Sequence, residues 1–562
     1  MADDMRPDLG CYGNEQVHTP NLDYLASRGI LFRNAYSQQA LCAPSRASIF
    51  TSRLPERTKV FDLHTYWRVS SEGNFTTMPQ YFKENGYFTY SIGKVFHPGK
   101  ASNFSDDYPY SWSLPPYHPP SEIYENKPTC SDYNLEENIT KNDFFEINST
   151  NHLKRNAICP VDVHTQPTKT LPDIEMAKHA IKILSKISKS RKSPENNMYK
   201  KPFFLAVGYY PLDKIILPSN PYYPANLPEV AWNPWLSLQS RDDIKRLNIS
   251  FPFGYLPNDV QRLLLQSYFA CITYIDSLVG KIIKKLIQDS LFNDTIIVFT
   301  SDHGWQLGEH QEWEKYNNFR ISNHVPLIVS LPKAFSESPT SLDVHGGRQS
   351  DMLVELLDIF PTLIDMTFHN NHNYTMTNIY KSYIIPRCNN PYKEKLCTEG
   401  KSLANYISAF SKIDKHILKT SIIIDLLLQN NNLNWQKYYY NNTMNLLDFN
   451  INSHRLAINQ NKVNSFHRRG DGYDLIKYVY GISFARWQYP RPSISTQTDS
   501  DKPIYKNIKI MGYSIMTPWF RYCQWVDYKI SNTYISYPLY TIRAEELYSY
   551  FNDWNENNNL IV

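Results

Sequence analysis

The sequence predicts an α/β fold, in which a large mixed, mostly parallel sheet is sandwiched by helices and a smaller α+β domain follows towards the C-terminus. Short apolar runs recur along the chain, and several of them are followed by polar residues of functional types. Segments with helical periodicity lie between these runs. A chain of 562 residues is also long enough for one large domain and a smaller one.

Three apolar runs are predicted to be buried strands of the large sheet. They are PFFLAVGY (202–209), TIIVFTSDHG (295–304) and VPLIVSLP (325–332). The segment 259–286 has apolar residues three and four positions apart, which predicts a long amphipathic helix. Ligands of such sheets bind outside the carboxyl ends of the strands, and Asp302 and His303 fall at one such end.

The remaining segments complete the predicted organisation. Residues 1–400 are assigned to the large domain and residues 401–562 to the smaller one, with an Asn-rich insertion at about 425–472. The basic segment 185–201 is predicted to be an exposed loop. Residues 508–530 are predicted to form paired strands of a smaller sheet.

Composition excludes some classes of protein. Hydrophobic residues make up 42% and charged residues 20%, which is typical of a globular chain. The net charge of +4 does not indicate nucleic-acid binding, although it would not repel a polyanionic substrate. We find no run of about 20 apolar residues, so no membrane span is predicted.

Cysteines and glycosylation sequons together favour a lysosomal or secretory route. The predicted bridges are Cys130–Cys159 and Cys388–Cys397, because each pair flanks a polar loop. Eight Asn-X-Ser/Thr sequons are present, at Asn74, Asn103, Asn138, Asn148, Asn248, Asn293, Asn373 and Asn441. The chain opens MADDMRPDLG, without a signal peptide, so either the protein is cytosolic or its beginning is missing from this sequence.

The stretch ALCAPSRASIFTSR (40–53) indicates a modified or reactive cysteine. A buried structural cysteine or a disulfide cysteine does not require an arginine four residues later. One helical turn places Cys42 and Arg46 on the same face, where the guanidinium can hold a reacting group by charge-assisted hydrogen bonds.

Several pairs of polar residues have chemistry that depends on their context. Asp3 and Asp4 are adjacent, as are Asp302 and His303, and carboxylate oxygens suit a hard divalent cation. Taken alone, an Asp-Asp pair is more often a solvated turn. The other two pairs, which alone are usually surface features, are Lys94 with His97 and Lys315 with Tyr316.

The combination of these motifs resembles the type I sulfatase family. Cys42, Pro44, Ser45 and Arg46 match its Cys-X-Pro-Ser-Arg signature, in which a formylglycine-generating enzyme oxidises the cysteine to formylglycine. Further blocks that resemble the family, in the expected order, are ADDMRP, GKVFHPG, TSDHGWQLGEH and EKYNNF. The segments DLHTYWR, MPQYFKENGY, YSWSLPPYHPPSE, NPWLSLQSRDDIKRLNIS and SDKPIYKNIKIMGYSI resemble a lysosomal branch that removes 2-sulfate from terminal L-iduronate in heparan and dermatan sulfate.

The resemblance implies a site and a mechanism. Hydrated formylglycine at position 42 would attack sulfur, and a Ca²⁺ held by Asp3, Asp4, Asp302, His303 and the residue at 42 would polarise the sulfate. Arg46 would steady the nucleophile, while Lys94 and Lys315 would neutralise sulfate oxygens and His97 would lie near the nucleophile. The residues that would hold the uronate are Trp305, Tyr316 and Lys502.

The chain departs from the family at three places. Only Met1 and Ala2 precede Asp3, so the first strand of the large domain is expected to be lacking. The signature ends Thr51-Ser52-Arg53, where the family has Thr-Gly-Arg. Between Tyr209 and Tyr210 the family has a His-Lys-Pro-His segment, which by the resemblance carries the proton donor.

These departures leave alternatives to an active sulfatase of this branch. A non-catalytic relative would bind sulfated glycans through the retained basic residues. An incomplete gene model of an active enzyme would explain both gaps, because both fall on elements that the fold needs. In each case the chain as written is expected to be catalytically impaired, since the loss of a general acid costs on the order of 10²–10⁴ in rate.

Overall fold

The structure is a computed structural model that describes residues 1–71, 73–124, 130, 163–210, 256–332, 348–368, 384–412, 484–492, 503–528 and 541–561. The helices within these ranges are α1 (Pro20–Ser27), α2 (Cys42–Thr51), α3 (Pro55–Thr58), α4 (Trp67–Ser70), α5 (Met78–Glu84), α6 (Pro172–Lys192), α7 (Asn258–Gln288), α8 (Arg320–Asn323), α9 (Ile359–Phe368) and α10 (Ala404–Lys412). The strands are β1 (Gly29–Tyr36), β2 (Phe88–Gly93), β3 (Phe203–Gly208), β4 (Ile297–Thr300), β5 (Gln306–Leu307), β6 (Trp313–Glu314), β7 (His324–Ser330), β8 (Arg348–Glu355), β9 (Ala485–Arg491), β10 (Ile510–Met516), β11 (Phe520–Asp527) and β12 (Ile542–Ser549).

The large sheet is mixed but mostly parallel, as the sequence predicts. Its strands lie in the order β4–β7–β1–β8, and β2 pairs with β3 in parallel. Strand β7 is antiparallel to both of its neighbours, β4 and β1, while β1 is parallel to β8. Of these four strands, β7 alone therefore runs in the opposite direction. The three apolar runs are confirmed as β3, β4 and β7, and the predicted amphipathic helix is confirmed as α7.

Met1 and Ala2 lie between β3 and β4 and pair with both strands. The Met1 amino group donates to Val207 O at 2.8 Å, and Tyr209 N donates to Met1 O at 2.9 Å. On the other side, Ala2 N donates to Thr300 O at 2.9 Å in a parallel bridge. These bonds run in the parallel pattern, so the carboxyl ends of β2, β3, residues 1–2 and β4 lie at one edge of the sheet.

Helices cover both faces of the sheet, and alternate residues of each strand pack against them. Leu31 and Ile328 face a core formed with α1, α6 and α7. Ile30 and Leu327 face the opposite core, which includes residues of α2, α5, α9 and α10. The predicted sandwich of helices around a sheet is therefore confirmed.

Helix α7 is the one helix of the described ranges that is long and apolar enough to cross a membrane by length and composition. Its apolar face, which includes Leu264, Tyr268 and Ile272, is fully buried against the sheet and α6. A core helix of a globular protein meets the same criterion, and this packing is the arrangement of a core helix.

The C-terminal sheet is antiparallel, in the order β12–β11–β10–β9. The paired strands predicted at 508–530 are confirmed as β10 and β11. Tyr489, Ile510 and Trp525 of this sheet pack against Leu41 and Tyr316 of the large domain. Helix α10 packs in the core of the large domain. The predicted insertion at 425–472 lies outside the described residues.

The prediction of an exposed loop at 185–201 is wrong for residues 185–192. Helix α6 continues to Lys192, because Ile183, Leu184 and Ile187 continue its buried apolar face. The serines between the lysines are compatible with a helix once tertiary packing stabilises it. The segment from Ser193 to Lys201 contains only a short 3₁₀ turn.

The cysteine pairing agrees with the prediction where the structure describes it. Cys388 and Cys397 form a disulfide with a Cα–Cα distance of 4.9 Å. Cys130 is also disulfide-bonded, and its predicted partner Cys159 lies outside the described residues. Cys42 is free, as expected. The three sequons within the described residues have exposed asparagines, at Asn74, Asn103 and Asn293.

His118 lies between two carboxylates and provides a test of pH dependence. Its Nε2 is 2.8 Å from Asp106 and its Nδ1 is 3.2 Å from Glu122. Burial alone lowers the pKa of His118, but the hydrogen bonds to Asp106 and Glu122 outweigh it and raise the pKa to about 10. A raised pKa means that the folded state binds the proton more tightly than the unfolded state does.

We expect His118→Gln to lower the free energy of unfolding by about 1–2 kcal/mol at pH 6, a value reduced for the partial exposure of the ring. The stabilisation is complete below pH 6.5 and is lost as the pH rises through about 10. Urea denaturation at pH 6 and pH 9 measures the stabilisation and its loss with rising pH. The control is His64→Gln, which changes an exposed histidine. A difference between wild type and variant that grows with pH would contradict the assignment.

Candidate active site

Four segments bring the predicted site residues together at the carboxyl edge of the large sheet. Asp3 and Asp4 follow the paired residues 1–2, and Lys94 follows β2. Cys42 is the first residue of α2, after the end of β1. The residues that follow β4 are Asp302 and His303.

Four of these residues form a compact group of possible metal ligands. One ligand atom each of Asp3, Asp4, Cys42 and His303 lies within 4.8 Å of the others, and all four side chains are buried. Asp4 Oδ2 is buried and has no hydrogen-bond partner among the described residues. An unpartnered buried carboxylate oxygen is costly in free energy, so the donor set fits a bound divalent cation.

Two lysines bracket the thiol of Cys42. Lys315 Nζ lies 3.2 Å from Cys42 Sγ and 2.5 Å from Asp4 Oδ1. Lys94 Nζ lies 3.6 Å from the same sulfur and 2.5 Å from Asp3 Oδ2. Each ammonium is thus placed to neutralise an anion beside position 42.

Arg46 connects the acidic residues rather than pointing freely at Cys42. Its guanidinium forms ion pairs with Asp3 and, at 2.9 Å, with Asp302 Oδ2. It also donates to the backbone oxygens of Lys94 and Val95. Asp302 lies beside the four-residue group, with its Oδ2 3.6 Å from His303 Nε2.

Burial and neighbouring charges together give Asp3 and Asp4 opposite protonation tendencies. Burial would raise the pKa of Asp3, but Lys94 and Arg46 outweigh it and hold the pKa well below its usual range. For Asp4, burial dominates over Lys315 and raises the pKa well above its usual range.

The thiol of Cys42 is a weak nucleophile as it stands. Burial, followed by the charge of Asp3, raises its pKa to about 11 despite Lys315 and Lys94. A thiol rather than a thiolate is therefore present at acidic and neutral pH. This fits a residue that acts after modification better than a cysteine that acts directly.

The predicted substrate-contacting residues are only partly described. Trp305 and Tyr316 are buried, and their ring centroids lie 5.5 and 5.9 Å from Lys315 Nζ. His97 Nδ1 is 2.9 Å from Pro98 O, and burial, together with Lys94, lowers its pKa to about 3. Lys502 lies outside the described residues.

The sequence did not reveal how the segment 305–319 is held. His310 stacks on Phe319, and its Nε2 lies 2.7 Å from Asn555 O. Glu556 is buried, accepts from Arg320 N at 2.9 Å and pairs with Arg521 Nε at 2.7 Å. The contacts of His310 with Asn555 and of Arg320 with Glu556 join residues more than 200 positions apart, so no local pattern could have indicated them.

Ser52, which replaces the family glycine, ends α2 in the left-handed conformation with φ 51° and ψ 41°. Glycine reaches this conformation without steric cost, whereas serine does not. The Ser52 hydroxyl compensates by donating to Leu357 O at 2.8 Å and accepting from Gly400 N at 3.2 Å. The substitution therefore fits the folded helix end.

Comparisons with known proteins agree with this geometry. A family model described as sulfatase matches residues 1–369. Iduronate 2-sulfatase of Homo sapiens is 40% identical over 592 aligned residues, which cover 100% of this chain and 90% of that protein. Iduronate 2-sulfatase of Mus musculus is 39% identical and covers 100% and 89%. A solved 2-O GAG sulfatase has a TM-score of 0.53 at 15% identity, covers 100% of this chain and 86% of its own, and supports the fold alone.

Proposed function

Because the chain belongs to the sulfatase family and is a sulfuric ester hydrolase, we propose that it removes the 2-sulfate of terminal L-iduronate in heparan and dermatan sulfate. The observation that carries this proposal is the 40% identity to human iduronate 2-sulfatase over the full chain. The geometry adds a nucleophile position, paired carboxylates and two buried ammonium groups at one sheet edge.

The proposed cofactors are a formylglycine derived from Cys42 and a Ca²⁺. Hydrated formylglycine supplies a hydroxyl nucleophile, and the cation supplies positive charge beside the sulfate. Asp3, Asp4, Asp302 and His303 would hold the cation together with the residue at 42, since the Asp4 oxygen without a partner offers a ligand.

The remaining polar residues have proposed roles that follow from their contacts. Lys94 and Lys315 would bind the sulfate oxygens, because each ammonium already lies within 4 Å of Cys42 Sγ. Arg46 would position Asp3 and Asp302 through its two ion pairs. His97 lies beside this cluster and is neutral at lysosomal pH, because its pKa is about 3.

The proposed site of recognition for the sugar lies above Lys315. The rings of Trp305 and Tyr316, whose centroids lie 5.5 and 5.9 Å from Lys315 Nζ, would contact the sugar, and Lys502 would bind the uronate carboxylate. The partners of this function would be a sulfated glycosaminoglycan and a formylglycine-generating enzyme. A lysosomal or secretory route is supported by the disulfide at Cys388–Cys397 and the exposed sequons. The proposed domains are residues 1–400 and 401–562, with α10 at the start of the second segment packed in the core of the first.

A second candidate is a catalytically impaired relative that binds sulfated glycans. The specific observation is that Tyr209 is followed directly by Tyr210, where the family has its proton-donating segment. Among the described residues of the site, neither lysine is a suitable acid, because the pKa of Lys94 and that of Lys315 are both raised above the usual range. Proton transfer to the leaving alcohol is therefore expected to limit the rate.

The test of the proposed function is sulfate release at acidic pH from two disaccharides. One has a terminal iduronate 2-sulfate and the other a terminal glucosamine 6-sulfate. We expect slow release from the first substrate only. Release from the second alone would contradict the substrate assignment, while binding of both without release would favour the impaired relative.

Removal of the cation is a further prediction. We expect a calcium chelator to lower the melting temperature of the protein, because the buried carboxylates then lose their counter-charge. Asp4→Asn should remove the effect of added Ca²⁺ on the melting temperature. The matched control is Asp276→Asn, since Asp276 is buried and hydrogen-bonded to Asn21, outside the site. An equal response of both variants to Ca²⁺ would place the cation elsewhere.

A further inference from the structure

Five lysines form one row along helix α6, which we call the lysine stripe. Its members are Lys178, Lys182, Lys186, Lys189 and Lys192. They are spaced four or three residues apart, so they lie on the same face of the helix. All five are exposed, while the opposite face of α6 is buried against the sheet and α7. The row is about 21 Å long at 1.5 Å per residue.

Within the part of the chain that the structure describes, no ion pair joins the lysine stripe to an acidic residue. The sequence from 176 to 192 contains neither Asp nor Glu. Within the described ranges, Lys186 contacts Tyr199: its Nζ lies 3.5 Å from the Tyr199 hydroxyl and 5.3 Å from the ring centroid. Like charges at this spacing destabilise a helix, and of the row only Lys189 and Lys192 lie in its last turn, where the helix dipole favours cations.

The stripe begins on the same side of the molecule as the active site. Near the start of α6, Asp173 Oδ1 accepts from Tyr210 N at 2.9 Å, just beyond the carboxyl end of β3. The helix then runs to Lys192, and the chain enters β3 at Phe203 from the opposite edge. The stripe therefore leads from the edge that holds the site towards the far edge of the sheet.

We propose that the lysine stripe binds the sulfated glycan chain beyond the sugar that is hydrolysed. The argument is charge complementarity: a row of exposed cations attracts a polymer that carries sulfate groups along its length. Binding at two places on one chain also raises the effective concentration of its end at the active site. The inference rests on the proposed function, because that function supplies a sulfated polymer as the substrate.

The test compares long and short ligands. The variant is K178Q/K182Q/K186Q/K189Q/K192Q, and the probe is a heparin dodecasaccharide whose binding is measured by calorimetry at low and physiological salt. We expect the variant to bind the probe at least about tenfold more weakly and to lose most of the salt dependence. We expect kcat/KM for the iduronate 2-sulfate disaccharide to be unchanged, since a short ligand does not reach the stripe.

Two control variants define the outcomes. Arginine at the same five positions keeps the charges and should keep the affinity. The second control replaces five exposed lysines on other segments with glutamine, at positions 100, 169, 281, 393 and 506. It removes the same net charge and should change the affinity less than about threefold. Equal losses in both glutamine variants, or no loss in the stripe variant, would overturn the proposal.

The binding measurement separates this inference from the proposed function. If the wild type hydrolyses no iduronate 2-sulfate, the function fails while heparin binding still decides the role of the stripe. Binding of the wild type to vesicles with anionic lipids but not to the dodecasaccharide would identify a membrane surface as the occupant and would also overturn the proposal.

Discussion

Cys42→Ala is expected to reduce sulfate release by at least about three orders of magnitude, because it removes the group from which the nucleophile derives. Cys42 is buried between Lys94 and Lys315 in a group of possible metal ligands. Alanine leaves the helix start intact, since it is a good helix former. The loss should therefore appear in kcat rather than in the amount of folded protein.

The matched control is Cys11→Ser, which changes another free cysteine of the described ranges. Serine can still donate to Asp23, the acid beside Cys11, so activity should stay near that of the wild type. Mass spectrometry of the peptide that contains residue 42 gives a second readout, because formylglycine replaces the thiol by an aldehyde. Full activity of Cys42→Ala would show that the nucleophile lies elsewhere.

Insertion of His-Lys-Pro-His between Tyr209 and Tyr210 is expected to raise the turnover of the iduronate 2-sulfate disaccharide by about 10²–10⁴. The resemblance places the proton donor of the family at this point, at the carboxyl end of β3. Tyr209 there is buried, and its hydroxyl has no hydrogen-bond partner within the described ranges. We do not expect His97 to supply the proton at acidic pH, because burial and the charge of Lys94 lower its pKa to about 3.

The control for this experiment is an insertion of Ala-Lys-Pro-Ala, which has the same length and no imidazole. Both proteins should contain matched amounts of formylglycine. A rise in kcat with the histidine insertion alone would support proton donation. Equal stimulation by both insertions would assign the effect to the shape of the loop, and rapid turnover by the unmodified chain would show that another residue supplies the proton.

Local patterns account for most of what the sequence could predict. The runs that became β3, β4 and β7 are apolar and short, and the motif at Cys42 is specific in itself. The carboxyl-end rule then predicted that Asp302 and His303 would lie at a ligand-binding edge. The metal-ligand group that includes His303 agrees with that prediction.

Long-range contacts account for what the sequence could not predict. Glu556 and Asn555 support residues 310 and 320 across more than 200 positions. Arg46 was expected to face the nucleophile, but its ion pairs go to Asp3 and Asp302. The helical state of residues 185–192 depends on the packing of Ile187 in a core that local charge patterns do not reveal.

The packing of Leu41 against the C-terminal sheet bears on when this part of the chain becomes covered during synthesis. Leu41 precedes Cys42 and contacts Tyr489 and Trp525 in one buried cluster. During translation at about 5–20 residues per second, roughly 25–100 s separate the synthesis of residue 42 from that of residue 525. The proposed formylglycine-generating enzyme would need the open chain, because the folded protein buries Cys42. For this interval the C-terminal sheet cannot cover Leu41, the residue that precedes Cys42, and the nascent chain would be open to that enzyme on this side.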